Sequence, residues 1–193
     1  MLWLPHDRAN LGPVSAAVVV ALLRGINLGP QRRLAMADLR AVVEGLGHTD
    51  VRTYLQSGNV VFRPARRAPA EALERALTAA IRDATKLDVP VLVRTAAQMQ
   101  AVVGANPYPV TDPTKVVVTF LAAPPPAALA AFDQEPFAPD RFHLHGREVY
   151  LELPDGQARS KLVEALWKQH LDERATARNW RTVEALATMS ARG

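Results

Sequence analysis

Residues 51–63, VRTYLQSGNVVFR, give the strongest local signal for the fold of this chain. Two runs rich in valine, threonine and aromatic residues flank Ser57-Gly58, a dipeptide that suits a two-residue hairpin turn. A turn of that length pairs Thr53 with Phe62. Because side chains alternate along a strand, one face of the predicted hairpin is apolar and the other is polar. The apolar face carries Val51, Thr53, Leu55, Val60 and Phe62, and the polar face carries Arg52, Tyr54, Gln56, Asn59 and Arg63.

The segments around this hairpin complete a βαββαβ order within residues 16–105, which is the split-βαβ or ferredoxin-like pattern. Valine-rich AAVVVALL predicts a buried strand, spaced leucines and valines predict two helices, and Thr95-x-x-Gln98 is a capping box that opens a third helix. The predicted elements are strand 16–23, helix 36–46, the hairpin, helix 69–86, strand 89–94 and a helix that ends near Gly104.

A second unit, residues 106–193, begins at the Asn106-Pro107-Tyr108-Pro109 break. Its predicted order is βαββα with an additional C-terminal helix. The elements are strand 115–122, helix 124–132, a hairpin around Gly146, and helices 160–170 and 179–189.

The first strand of each unit is apolar on both faces, so we expect each sheet's second face to be covered by the other unit. The predicted fold class is α+β, with two ferredoxin-like halves packed together. Residues 1–15 are predicted to be a disordered N-terminal tail.

Composition excludes several kinds of site. The chain has no cysteine, which excludes disulfides, thiolate zinc sites and cysteine nucleophiles and agrees with a cytoplasmic location. The apolar run 15–23 lacks a cleavage site, and no stretch approaches the ~20 apolar residues of a spanning helix, so no membrane partner is expected. His143-x-His145 lacks an evident third ligand, and neither a metal nor a cofactor is expected.

Several separated motifs occur in a fixed order: ALLRGINLG (21–29), YLQSGNVVF (54–62), VVVTFL (116–121), RSKL (159–162) and ATARNWRTV (175–183). Together they resemble the bacterial domain-of-unknown-function family 1697 over about residues 18–187. The resemblance implies an α+β fold with ferredoxin-like halves in a cytoplasmic bacterial protein. It implies no established reaction, cofactor or catalytic residue.

Basic and amide side chains at the ends of predicted elements suggest a site for an anion. Arg24 follows a buried strand and could clamp a phosphate, or instead pair with a buried carboxylate. Arg178 and Lys161 lie at predicted helix starts, where free N–H groups favour anions. The candidate ligand-binding residues are Arg24, Asn27, Tyr54, Gln56, Ser57, Asn59, Ser160, Lys161, Arg178 and Asn179.

Each candidate also has a structural interpretation. Gln56 to Asn59 suit a turn, Ser160 and Asn179 are ordinary helix N-caps, and Arg52, Tyr54 and Arg63 form at most a partial stacking platform for RNA. The net charge of +4 permits an acidic partner without requiring one.

We therefore predict a non-catalytic binding protein for an anionic ligand, a nucleotide or a nucleic acid. One alternative is a small-molecule enzyme with its site in the cleft between the halves and Tyr54 or Ser160 as the reactive group. Another is a purely structural or oligomerising protein. The sequence leaves the oligomeric state open.

Overall fold

Two copies of one strand–helix arrangement follow each other in the computed structural model, which describes residues 16–29 and 33–192. The predicted N-terminal tail lies outside the described residues. The first half contains β1 (Val19–Leu23), α1 (Met36–Gly45), β2 (Thr49–Thr53), β3 (Asn59–Arg63), α2 (Ala70–Thr85), β4 (Val91–Thr95) and α3 (Ala96–Gly104). The second half contains β5 (Val116–Phe120), α4 (Ala127–Ala130), β6 (Arg141–His145), β7 (Glu148–Glu152), α5 (Lys161–Gln169), β8 (Thr176–Asn179) and α6 (Trp180–Ala191).

Each half forms one four-stranded antiparallel sheet with the same topology, in the orders β2-β3-β1-β4 and β6-β7-β5-β8. This confirms the predicted α+β class with two ferredoxin-like halves. The second half contains a strand, β8, at residues where the sequence analysis placed none. Its four residues, TARN, carry no apolar alternation, so pairing with β5 rather than local pattern makes them a strand.

The two halves share a central apolar layer. Val20 of β1 and Val118 of β5 belong to one buried cluster, together with Met99 of α3 and Trp180 of α6. The opposite face of the first sheet packs against α1 and α2, and that of the second sheet packs against α4 and α5. Both faces of each sheet are therefore covered, as the valine-rich first strands predicted.

The first hairpin differs from its prediction because its turn is a five-residue loop, 54–58, rather than two residues. Thr53 pairs with Val60 instead of Phe62. Leu55, expected on the apolar face, is 56% exposed, and Tyr54, expected on the polar face, packs against the central apolar layer. The second hairpin turns tightly at Gly146-Arg147.

The longest described helix, α2, has 16 residues. None of the helices described is both long and apolar enough to cross a lipid bilayer.

Candidate functional site

Two buried arginines occupy equivalent positions in the two halves. Arg94 lies in β4 opposite Val20, and Arg178 lies in β8 opposite Val118. Each directly precedes the N-cap residue of the helix that follows its strand. Only 1% of Arg94 and 8% of Arg178 is exposed.

Arg94 reaches across to the second half. Its Nε donates to Glu148 Oε1 at 2.9 Å, and its Nη2 donates to the carbonyl of Leu121, just after β5, at 2.7 Å. Its Nη1 donates to the carbonyl of Val93, the residue before it, at 3.1 Å. Arg94 therefore joins β4 to the C-terminal end of β5 and the N-terminal end of β7.

Arg178 makes the equivalent contacts from the second half to the first. Its Nε donates to Asn59 Oδ1 at 2.6 Å, and its Nη2 donates to the carbonyl of Leu23, at the end of β1, at 2.7 Å. Its Nη1 donates to Thr176 Oγ1 and to the carbonyl of the preceding Ala177, both at 2.8 Å. We call Arg94, Glu148, Arg178 and Asn59 the reciprocal clasp.

The clasp is symmetric in geometry but not in charge. Glu148 neutralises Arg94, whereas Asn59 is neutral, and no carboxylate within residues 16–29 and 33–192 forms an ion pair with Arg178. Burial lowers the pKa of Arg178 to about 10. Burial also lowers the pKa of Arg94, but there the charge of Glu148 acts in the opposite direction. Among the described residues, Arg178 thus has no counter-ion, and oxygens of neutral groups accept from its guanidinium instead.

Asn59 supports loop 54–58, which explains why the residue that accepts from Arg178 Nε is an amide and not a carboxylate. Asn59 Nδ2 donates to the carbonyl of Tyr54 at 2.8 Å and to Ser57 Oγ at 2.9 Å, across the five-residue loop 54–58. A carboxylate has no such donors. Glu148 follows a two-residue turn that needs no support of this kind, and its Oε2 accepts from the backbone N–H of Arg147.

A second loop, 24–29, is joined to loop 54–58. Asn27, at φ 56°, donates through Nδ2 to the carbonyls of Gln56 at 2.7 Å and Leu34 at 3.0 Å. Its Oδ1 accepts from the N–H of Leu34 at 2.9 Å. Gly58 packs so closely on loop 24–29 that an added Cβ would lie 2.8 Å from Ile26 Cδ1. We call residues 24–29 and 54–58 the loop pair.

The loop pair borders a cavity of about 530 Å³. Its lining residues are Asn27, Gly29, Arg33, Leu34, Ala35 and Gln56. The side chains of Gln56 and Ser57 are exposed beside it. Neither loop contains an aspartate or glutamate, and Arg33 is the charged residue among those that line the cavity.

Arg24 connects the loop pair to the second half. Its Nη1 donates to the carbonyl of Asp172 at 2.9 Å, and its guanidinium lies 4.8 Å from the ring centroid of Trp167. It forms no ion pair within the described part of the chain. The buried-carboxylate interpretation of Arg24 therefore does not describe this side chain.

The structure brings some predicted site residues together and leaves others apart. Those assembled at the loop pair and its clasp are Arg24, Asn27, Tyr54, Gln56, Ser57, Asn59 and Arg178. Ser160 and Asn179 act as N-caps, accepting from the N–H groups of Val163 and Thr182 at 3.0 Å. Lys161 is exposed at the start of α5, about 9 Å along the helix axis from Trp167.

Arg24, Lys161 and Arg178, the three basic candidates for an anion site, therefore do not come together as three available cations. The N–H groups of Arg178 are directed at protein acceptors, and Lys161 lies at the end of α5 remote from Arg24. The stacking platform is also covered, because Tyr54 packs inward and Arg52 donates to the carbonyl of Met189.

A groove between the halves, also of about 530 Å³, runs along α2 and β4. Buried Glu74 accepts there from the N–H of Val93 and from Arg174 Nη2. Arginines 75, 82 and 174 face carboxylates 71, 74 and 88, so the lining has no charge excess. Neither Tyr54 nor Ser160, the reactive groups of the enzyme interpretation, lines this groove.

The sequence analysis did not single out Arg94, Glu148 or Arg33. One pattern in the sequence could have indicated the two buried arginines. An arginine is followed by a helix N-cap residue in both halves, as Arg94-Thr95 and as Arg178-Asn179.

Comparisons with known proteins place the chain in a family without giving it a function. Residues 17–150 match the family model described as "Protein of unknown function (DUF1697)". No curated protein matches the chain. The conserved bacterial protein SP0830 from Streptococcus pneumoniae has a similar solved structure, with a TM-score of 0.73 and 18% identity over 90% of this chain and 98% of that one. At that identity the likeness shows the fold alone.

Proposed function

We propose that this chain, which belongs to the DUF1697 family of proteins of unknown function, is a non-catalytic binding protein for an anionic ligand. The ligand is either a nucleotide or a nucleic acid. The site is the loop pair. The observation that carries the proposal is the charge difference within the clasp, where Glu148 neutralises Arg94 and no carboxylate of the described residues forms an ion pair with Arg178.

Water and salt screen a buried charge less than an exposed one, because the medium around it has a lower dielectric constant. The surface nearest to Arg178 is loop 54–58, because its guanidinium contacts the carbonyls of Ser57 and Gly58. Exposed Gln56 and Ser57 supply hydrogen-bonding groups on that loop, and Arg33 lies across the adjoining cavity. An anion bound there compensates the positive charge of Arg178, which the neutral side chain of Asn59 does not.

Thermal melts at low salt test the proposal. We expect the melting temperature to rise with added inorganic phosphate, a mononucleotide or a short oligonucleotide, because a ligand that binds only the folded state stabilises it. Asn59→Asp supplies the missing negative charge, so its ligand-induced shift should be much smaller. Arg75→Ala is the matched control, since it also lowers the net charge by one, but at an exposed position on α2.

Each shift is measured against the same variant without ligand, so a change in basal stability does not enter the comparison. Asn59→Leu loses the same Nδ2 donors to loop 54–58 without adding a charge, so it should keep more of the ligand-induced shift than Asn59→Asp. A wild-type protein that none of the three ligands stabilises contradicts the proposal. So does an Asn59→Asp variant that keeps the full shift.

We also propose a cytoplasmic location, which the lack of cysteine in the 193-residue sequence supports. Fractionation of the native host tests it, and recovery from the periplasmic or medium fraction would overturn it.

A further inference from the structure

Two leucines at the loop pair are exposed to solvent. Leu28 is 85% exposed and Leu55 is 56% exposed. An isolated exposed leucine is common on protein surfaces. Here, however, both belong to loops that Asn27 joins by a hydrogen bond, and both accompany the charge excess described above.

Leu55 is also held in an unfavourable backbone conformation. Its φ is 55°, in the left-handed region that a branched side chain rarely adopts and that glycine adopts freely. Its neighbours impose this conformation, because Tyr54 is anchored in the central apolar layer and Asn59 holds both Tyr54 and Ser57. Such strain persists only where the surrounding structure enforces it, and it is concentrated at functional sites. The fold thus presents Leu55 to solvent.

The groups beside the leucines are polar or basic. Gln56 and Ser57 are exposed next to Leu55, and Arg33 is exposed and lines the same cavity as Asn27 and Gly29. Arg24 uses only Nη1 in its bond to Asp172, and within the described residues its other two guanidinium nitrogens have no hydrogen-bond partner. The surface therefore combines apolar side chains, hydrogen-bonding groups and positive charge, and neither loop contains a carboxylate; Asp88 and Glu173 line a cavity with Arg24 at its edge.

We infer, on the basis of the proposed function, that the loop pair binds single-stranded nucleic acid. Leu28 and Leu55 pack against the faces of unstacked bases, Gln56 and Ser57 hydrogen-bond base edges, and Arg24 and Arg33 contact phosphates. Sequence-specific recognition of unpaired strands relies on splayed bases, which offer apolar faces and polar edges together. The sequence pI of about 9.8 is in the range typical of nucleic-acid-binding domains.

Two other ligands fit the surface less well. A free nucleotide is normally enclosed by its pocket, whereas these leucines project into solvent. An anionic membrane would accept leucines beside arginines, but Gln56 lies beside Leu55 and would enter hydrocarbon with its amide unpaired, which is costly.

Fluorescence anisotropy with a labelled single strand of about 12 nucleotides, prepared as RNA and as DNA, tests the inference. Two phosphate contacts give a slope of about −1.4 for log K against log salt. Leu55→Gly and Leu28→Ala should each weaken binding about fivefold and leave that slope unchanged, because each removes apolar contact only. Arg33→Ala should reduce the slope by about 0.7.

Two controls separate recognition from folding. Leu46→Ala removes an exposed leucine at the C-terminal end of α1, outside both loops, and should leave affinity unchanged. Leu55→Gly relieves the positive φ, so its melting temperature should equal or exceed that of the wild type while its affinity falls. A leucine that served only the fold would show the reverse.

Equal affinity of the leucine variants and the wild type would overturn the inference, as would equal binding of a duplex of the same length. Binding to phosphatidylglycerol vesicles that depends on Leu55, without binding to the strand, would assign the surface to membranes instead. Stabilisation by phosphate or a mononucleotide, without binding of the strand, would remove this inference and leave the proposed function standing.

Discussion

Arg178 Nε donates to Asn59 Oδ1 at 2.6 Å, at the position where the equivalent Arg94 donates to a carboxylate oxygen of Glu148 at 2.9 Å. One clasp arginine is neutralised and the other is not. Asn59 also supplies the donors that hold the five-residue loop 54–58. The loop and the uncompensated charge therefore share one structural cause.

The stability of the fold should depend on the carboxylate of Glu148, the partner of Arg94 in the clasp. Glu148→Gln leaves buried Arg94 without a counter-ion, and breaking a buried pair costs about 3–5 kcal/mol of unfolding free energy. Chemical denaturation measures this. Glu152→Gln is the control, because its partner Arg141 is largely exposed and such pairs contribute at most about 1 kcal/mol. Equal losses in the two variants would contradict the role given to the clasp.

Gly58 should be the least replaceable residue of the loop pair. It has a φ of 75°, and an added Cβ would lie 2.7 Å from Leu23 Cβ. Gly58→Ala should therefore cost more than about 2 kcal/mol of unfolding free energy. Gly104→Ala, where no atom lies within 4 Å of the new Cβ, should leave stability unchanged or slightly higher. A Gly58→Ala variant as stable as the wild type would show that the two loops pack less closely.

Tyr108 should limit stability at high pH. Burial raises its pKa from 10.0 to about 12, with Glu152 acting in the same direction and Arg141 against it. Because the folded state holds this proton more tightly than the unfolded state, the stabilisation is complete below pH 10 and is lost as pH rises towards 12. Denaturation at pH 9 and 11 should show a smaller alkaline loss in Tyr108→Phe than in the wild type. Identical losses would refute this assignment.

Much of the fold follows from local pattern in the sequence. The valine-rich strands β1 and β5 predicted sheets covered on both faces, and Thr95-x-x-Gln98 is the capping box that opens α3. These signals are local, so the sequence carries them directly. Strand β8 could not be predicted this way, because its four residues become a strand only by pairing with β5.

The sequence indicated some residues of the candidate site, among them Asn59 and Arg178, but neither their contacts nor the remaining residues Arg33, Arg94 and Glu148. Asn59 in a Ser-Gly-Asn run suggested a tight turn, whereas its burial against Arg178 from the other half imposes a longer loop and changes the register. Arg178 suggested a direct anion ligand, but its N–H groups contact protein acceptors. Both outcomes depend on contacts between residues 119 and 155 positions apart in the chain, which periodicity does not report.

Amide chemical-shift mapping during titration with a phosphate-bearing ligand tests the central claim most directly. The loop pair is the anion site in this account, so the largest shifts should fall in residues 24–29 and 54–58, and Asn59→Asp should greatly reduce them. Shifts concentrated along α2 between Glu71 and Arg82, or no shifts at millimolar phosphate and oligonucleotide, would contradict it.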